Sequence, residues 1–330
     1  MTHVSVILCT YNRCESLAKA LESVALSQLP DDLSWEVLVI DNNSRDKTRE
    51  VVEGFCFSYP DRFRYVFEPK QGKSNALNTG IREARGAILA FMDDDVLVEA
   101  SWLYCLAQPL LRSDLSGTGG RILSQQVVSA PSWLALDGQY SLGGMLALFD
   151  KGDEPKELDS PPFGTNMAFR KEIFARYGGF RTDMGPCPGS EIRNEDTEFG
   201  RRLLAAGEPL WYVPTAVVYH AVPEERLRQS YLLRFWYDHG RAEIRESGRR
   251  PDVLGIPRYF FTIPKIALTV LPRRAFRWIA SADPKRRFFY KGMVWMTFGQ
   301  MAEMPRLWSS KVPLPHVSGL HPVDTSENSR

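Results

Sequence analysis

The residues of this chain best suited to chemistry are acidic and close an apolar run. Asp93-Asp94-Asp95 follows Ala87-Ile88-Leu89-Ala90-Phe91-Met92, a short stretch bounded by Gly86 that suits a buried strand. Adjacent carboxylates at the end of a buried strand repel and raise one another's pKa, so they call for a cation. Alternation along an extended backbone would aim Asp93 and Asp95 one way and Asp94 the other. Two hard oxygen ligands there, with room for a phosphate, describe a Mg2+ or Mn2+ site that holds a nucleotide.

Four further places carry candidate groups, each with a plainer alternative. Asp41 precedes Asn43-Ser44-Arg45-Asp46, so it is either a turn former or a carboxylate facing a nucleobase N–H. Gln71-Gly72-Lys73-Ser74-Asn75 sets a flexible turn and a cation before a helix, which suits an anion, although Lys73 alone also reads as surface. The Gly-x-x-x-x-Gly-Lys spacing of a phosphate loop is missing. Asn194-Glu195-Asp196-Thr197-Glu198 opens a helix. Its acids either offset the helix dipole behind an Asn194 cap or include a base for an incoming hydroxyl. His220 ends an apolar strand and is either a bonded core residue or the imidazole of a metal site rich in oxygen.

The elements that must position these groups follow from periodicity. Strands are expected at Val4–Cys9, Trp35–Ile40, Arg64–Phe67 and Ala87–Met92, with helices at Glu15–Leu26, Asp46–Gly54 and Ser74–Arg85 between them. That alternation predicts a parallel, doubly wound sheet, whose ligands sit outside the carboxyl ends of the strands. Thr10, Asp41 and Asp93 all fall at those ends. From Gly117 to Phe163 the pattern loosens, and a mobile segment covering the substrate is expected. A strand at Phe163–Phe169, a helix ending at Gly178-Gly179, a helix from Asn194 to Gly207, and strands Leu210–Val213 and Ala216–His220 around a turn at Pro214 complete the domain.

Composition bounds the rest. The 330 residues are 44% apolar and 25% charged, as in an ordinary globular protein. The net charge of +1 hides a split: residues 1–222 hold 22 Lys/Arg against 30 Asp/Glu, and residues 223–311 hold 18 against 8. In that basic part Arg273-Arg274, Arg277 and Lys285-Arg286-Arg287 alternate with Phe276, Trp278, Ile279, Phe288, Phe289, Tyr290 and Trp295. This reads as a helical lid or as a helix on an anionic membrane surface. No nucleic-acid recognition motif accompanies it. Five cysteines without metal or redox spacing suggest a reducing, cytoplasmic compartment. No apolar stretch reaches the roughly 20 residues that cross a bilayer, so a soluble or peripheral protein is expected, and the tail 312–330 is expected to be disordered.

Six motifs in order resemble the family-2 inverting glycosyltransferases of GT-A fold. They are Val4 through Arg13, Val39-Ile40-Asp41-Asn42-Asn43-Ser44, Gly72 through Gly80, Phe91-Met92-Asp93-Asp94-Asp95, Gly164 through Arg170, and Asn194-Glu195-Asp196. The resemblance covers about residues 1–222. It implies an α/β GT-A fold, a Rossmann-like and mostly parallel sheet with flanking helices, here followed by a basic helical appendage at 223–311. It also implies that Thr10, Tyr11 and Arg13 hold the base, that Asp41 reads a pyrimidine, and that Lys73, Asp93 and Asp94 line the donor site. Asp95 and His220 would take the metal, and Asp196, with Glu195 beside it, would be the general base. The activity so implied moves a sugar from a nucleotide donor, first of all UDP-linked, to a hydroxyl of a glycan or lipid-linked acceptor at the inner face of the membrane, in cell-surface polysaccharide or glycolipid synthesis. A sugar nucleotidyltransferase, or a non-catalytic scaffold recruited to a membrane, would share the fold. The first needs a Gly-rich loop that Thr10-Tyr11-Asn12-Arg13 is not.

Overall fold

The computed structural model describes residues 3–190, 192–248 and 252–309. Its centre is one mixed sheet. β1 (Val4–Thr10), β2 (Trp35–Asp41), β3 (Phe63–Phe67) and β4 (Ile88–Asp93) form the parallel half in the order β3-β2-β1-β4. The crossovers between them are α1 (Cys14–Ala25), α2 (Thr48–Ser58) and α3 (Lys73–Glu83). Val6, Leu8, Val37, Val39, Leu89 and Phe91 are all buried, so these strands read as near-continuous apolar runs because both faces of the sheet are covered. The expected doubly wound half is therefore present, its boundaries shifted by a residue or more.

Beyond β4 the sheet departs from parallel winding. It continues through β8 (Asn166–Arg170), β6 (Gly117–Ser124), β9 (Leu210–His220) and β5 (Val96–Val98). β7 (Lys156–Glu157) pairs with β9. Strand β8 is antiparallel to both β4 and β6, and β5 is antiparallel to β9. Three helices, α4 (Trp102–Arg112), α5 (Lys171–Tyr177) and α6 (Glu195–Ala205), cover this half. Phe174 stacks on Phe199 with ring centroids 4.8 Å apart, joining α5 to α6. The expected pair of strands around Pro214 is one strand, β9, whose pairing with β6 slips between Gly120 and Arg121. Proline lacks the N–H that a regular ladder needs, and a bulge absorbs the loss.

The segment expected to be loose, 117–163, is built into the molecule. Its start is β6, and Leu134, Leu142 and Leu146 form a second core with Val222 and with two of the four C-terminal helices. Those helices are α7 (Gln229–Ser247), α8 (Tyr259–Lys265), α9 (Leu271–Ala280) and α10 (Pro284–Ser309). A π-helical turn, Ile266–Val270, links α8 to α9. Leu232, Leu233 and Trp236 of α7 and Phe288 and Met296 of α10 complete the core. The tail 312–330 lies outside the described residues.

Candidate active site

The site lies at the carboxyl ends of β1 and β4. Register sets Cys9 opposite Asp93 and Thr10 opposite Asp41, so the end of β1 lies between the two acidic strand ends. The loops after β1 and β2 lock together. Asn12 and Asn43 take left-handed φ of 52° and 67°, which asparagine tolerates better than most residues. Asn12 N–H donates to Ser44 Oγ and Arg45 N–H to Asn12 Oδ1. Asp46 accepts from the backbone N–H of Cys14 and of Thr48, capping α1 and α2 with one carboxylate.

The three aspartates have three different environments. The strand ends at Asp93, so the expected alternation stops there: Arg13 Nη1 reaches both Asp94 Oδ1 and Asp95 Oδ2 at 3.1 Å. Asp93 accepts from Lys73 Nζ at 2.6 Å and from Thr165 Oγ1 at 2.9 Å. Burial pushes the Asp93 carboxyl up, but the Lys73 ammonium and the bonds from Lys73 and Thr165 bring it down to about 2. Asp94 is 5% exposed and also accepts from Thr10 Oγ1 at 2.7 Å. Burial carries it up to about 6 against the pull of Arg13. Asp94 thus lines the cavity as a brace for Thr10 and Arg13.

Asp95 faces His220, with Oδ1 3.7 Å from Nε2. Strand β5 explains the meeting: it starts one residue after Asp95 and pairs Val96 with His220. Burial, helped by the charge of Arg226 and opposed by that of Asp95, lowers the His220 pKa, so the imidazole is neutral at pH 7 and Nε2 has a lone pair to give. Arg226 Nη1 lies 3.0 Å from that nitrogen and Arg226 Nη2 lies 3.5 Å from Asp95 Oδ2. Arg226, which the sequence reading missed, comes from a single 3-10 turn, Glu224–Leu227, that carries no motif. Among the described residues no three His, Cys, Asp or Glu converge on one point. A neutral imidazole and a carboxylate nevertheless fit a divalent ion that takes its other oxygens from phosphate and water.

Across the cavity stands the start of α6. Asn194 occupies the N-cap position as expected, but in a left-handed conformation of φ 76°, and its amide bonds His239 instead of the helix. Asp196, in the first turn of α6, accepts from Gly164 N–H at 2.6 Å and from Thr197 N–H at 2.7 Å. Glu195 is buried and points 3.6 Å from Lys73 Nζ; burial, then the charge of Asp196, raises it to about 7 against Lys73. The two neighbours therefore differ, Asp196 lying on the open side and Glu195 behind it with Lys73. Burial pulls the Lys73 pKa down, but Asp93, Glu195 and Asp196 raise it further, so the ammonium stays charged.

One cavity of about 430 Å³ gathers Thr10, Tyr11, Arg13, Lys73, Asp93, Asp94, Asp95, Glu195, Asp196 and His220. Asp41 is absent from its lining. Its oxygens accept from Ser44 N–H and Tyr65 O–H, both at 2.8 Å, so Asp41 shapes the turn after β2. Asn42, next to it, lines the cavity and holds Gly72 N–H and the carbonyls of Glu68 and Lys70, setting the approach to Lys73.

A parallel half-sheet with an acidic strand end facing a helix-borne carboxylate defines the class: a glycosyltransferase of GT-A architecture. The chain belongs to glycosyl transferase family 2, whose model matches residues 5–178. It is similar to the succinoglycan biosynthesis protein ExoM of Rhizobium meliloti, with 28% identity over 74% of each chain. It is also similar to the glycosyltransferase AglE of Haloferax volcanii, with 30% identity over 66% of each. Among solved structures, the mannosyltransferase PcManGT of Pyrobaculum calidifontis, in complex with GDP-Man and Mn2+, aligns with 95% of this chain and 76% of its own. Its identity is 19% and its TM-score 0.54, a likeness of fold. GalNAc-T7 with UDP, GalNAc and Mn2+ aligns at 17% identity and TM-score 0.52, over 66% of this chain and 43% of its own. The enzyme is a glycosyltransferase with relatives in polysaccharide and glycolipid synthesis.

Proposed function

We propose that the protein is a metal-dependent inverting glycosyltransferase using a UDP-linked sugar and a hydroxyl of a glycan or lipid-linked acceptor at a membrane surface. The observation that carries this reading is a single cavity lined on one side by Asp93, Asp95 and His220 and on the other by Asp196. In the transfer an acceptor oxygen forms its bond to the anomeric carbon while the bond to the diphosphate oxygen breaks. The nucleoside diphosphate departs with the electron pair, and the configuration inverts. Asp196 takes the acceptor proton; its two backbone N–H bonds keep the carboxylate oriented. Arg13 and Lys73 supply fixed positive charge near the phosphates. A Mg2+ or Mn2+ ion held by Asp95 and His220 would offset charge on the leaving diphosphate. Tyr11, half-exposed at the rim, offers a face for the base.

A donor panel containing UDP- and GDP-sugars, read as nucleotide release with manganese, tests the reading. UDP-sugar turnover that Asp95→Ala and Asp196→Asn each abolish supports it. A preference for GDP-mannose would overturn the base assignment, and turnover surviving Asp95→Ala would overturn the metal site. The anomeric configuration of the product, read by NMR, tests inversion.

A further inference from the structure

We infer that the rod formed by α8, the π turn and α9 lies in the plane of a lipid bilayer rich in anionic headgroups and docks the enzyme there. The inference deepens the membrane part of the proposed function but rests on a surface remote in sequence from the catalytic motifs. The rod runs from Tyr259 to Ala280, 22 residues or about 33 Å at the rise of a helix. Along it the residues exposed at every fourth position are Phe260, Pro264, Leu268, Pro272, Phe276 and Ala280, a wholly apolar stripe. Leu268 is 79% exposed, and Phe276 and Ile279 are each 72% exposed. In a plain α-helix such a stripe would drift by about 40° per step. The wider π turn at Ile266–Val270 takes back part of that drift, and all six positions stay exposed.

The opposite side is anchored. Arg274 donates to the Met293 carbonyl and to Thr297 Oγ1, and Trp278 meets the Trp295 ring edge-on, so α10 sets which face looks outward. Eight of the seventeen exposed large hydrophobic side chains among the described residues fall between Val253 and Ile279. Apolar surface concentrated in this way marks an interaction site.

Charge identifies the occupant. The rod contains no acid, and Lys265, Arg273 and Arg277 flank the stripe on exposed positions. Among the described residues no carboxylate forms an ion pair with any of these three. A second copy of the chain would bring the same cations face to face, whereas anionic headgroups meet them all at once. No helix of the described residues is long and apolar enough to cross a membrane, and two prolines interrupt the donors of the rod. A helix so built rests at the headgroup level.

The test is flotation of the full chain with phosphatidylcholine vesicles, with and without phosphatidylglycerol, at low and high salt. The wild type should float with the anionic vesicles and lose partition as salt rises. Leu268→Glu with Phe276→Glu should weaken that partition by about tenfold or more. The triple variant Lys265→Gln, Arg273→Gln, Arg277→Gln should keep weak binding and lose its salt dependence. Circular dichroism and UDP binding with manganese should match wild type in both variants, since every changed side chain is exposed. A chain that ignores anionic vesicles, a double variant that floats like wild type, or a wild-type dimer that the double variant dissociates would each overturn the inference. Those outcomes leave nucleotide binding intact and so are distinct from failure of the transferase reading.

Discussion

At the scale of residues, the site is a balance of side-chain charges. Lys73, Arg13 and Arg226 form ion pairs with Asp93, Asp94, Asp95 and Glu195, whereas Asp196 forms none among the described residues and draws its bonds from the N–H groups of Gly164 and Thr197 and the Thr197 hydroxyl. That isolation argues for Asp196 as the base. Asp196→Asn should lower kcat by roughly 10²–10⁴, with the donor KM little changed, because the amide keeps the shape and loses the proton affinity. Steady-state kinetics at saturating donor checks it. Arg226 argues differently: its guanidinium engages both groups expected to hold the ion. Arg226→Met should therefore tighten Mn2+ binding in the absence of nucleotide, on the order of tenfold, because a cation beside the ligands is removed. Titration calorimetry with manganese alone measures it, and unchanged or weaker affinity would show that Arg226 does not compete. The acidic triplet was legible because chemistry forces such a run to a cation. The guanidinium that meets it was not, since nothing in Glu224–Leu227 marks Arg226 beyond any surface arginine.

At the scale of elements, legibility followed periodicity. The first three β–α units repeat a strand-and-helix pattern and were readable to within a few residues. Strand β5 is three residues long, too short for any period, yet it delivers His220 to Asp95. Helix α4 contains Pro109, which reads as a break, and β6 begins Gly-Thr-Gly-Gly, a poor strand by propensity. Glycine is needed there because a Cβ at Gly120 would meet the Ala216 carbonyl at 2.3 Å. The same logic governs the crossing of α7 and α10. A Cβ at Gly240 would lie 2.1 Å from the Met296 carbonyl oxygen, and one at Gly299 1.9 Å from that of Tyr237. Gly299→Ala should thus force the helices apart and destabilise by about 1–3 kcal/mol, although alanine is the better helix former. Urea denaturation should show the midpoint falling; a rise would mean that the helices do not pack so closely.

The seam between α6 and α7 adds a pH dependence. Burial first, and then Arg201, holds the His239 pKa down at about 4, against an ordinary value of 6.5. A depressed histidine adds stability that is complete above the unfolded pKa and is lost as pH falls through the folded one, because the unfolded chain binds the proton more readily. Unfolding free energy should consequently decline from pH 7 towards pH 4 by on the order of 2–3 kcal/mol from this group. His239→Gln should flatten that portion of the curve in denaturant titrations at stepped pH. An equal slope in both proteins would assign the dependence elsewhere.

At the scale of the whole molecule, composition and packing draw different boundaries. The charge split falls near residue 222, and from sequence that suggests a catalytic domain with an appendage. Packing crosses the line. Leu134, Leu142 and Leu146 from the first part are buried against Leu232, Trp236, Phe288 and Met296 from the second, and Trp133 and Phe288 rings sit 4.3 Å apart. Glu303 of α10 binds Arg241 and Arg245 of α7, and Arg245 in turn donates to the Asp183 carbonyl of the first part. Arg226 and Phe235, both beyond residue 222, line the candidate cavity. Each large apolar side chain uncovered costs roughly 1.5–3 kcal/mol, so removing the second part would expose more than a marginally stable fold tolerates. A chain ending at Val222 should accordingly aggregate or unfold at temperatures where the full chain is native, and should bind no UDP with manganese. Thermal melts and nucleotide titration of the truncated chain test this. A folded, nucleotide-binding fragment would show that the helical part is a separable module, and that the shared core contributes less than its buried area implies.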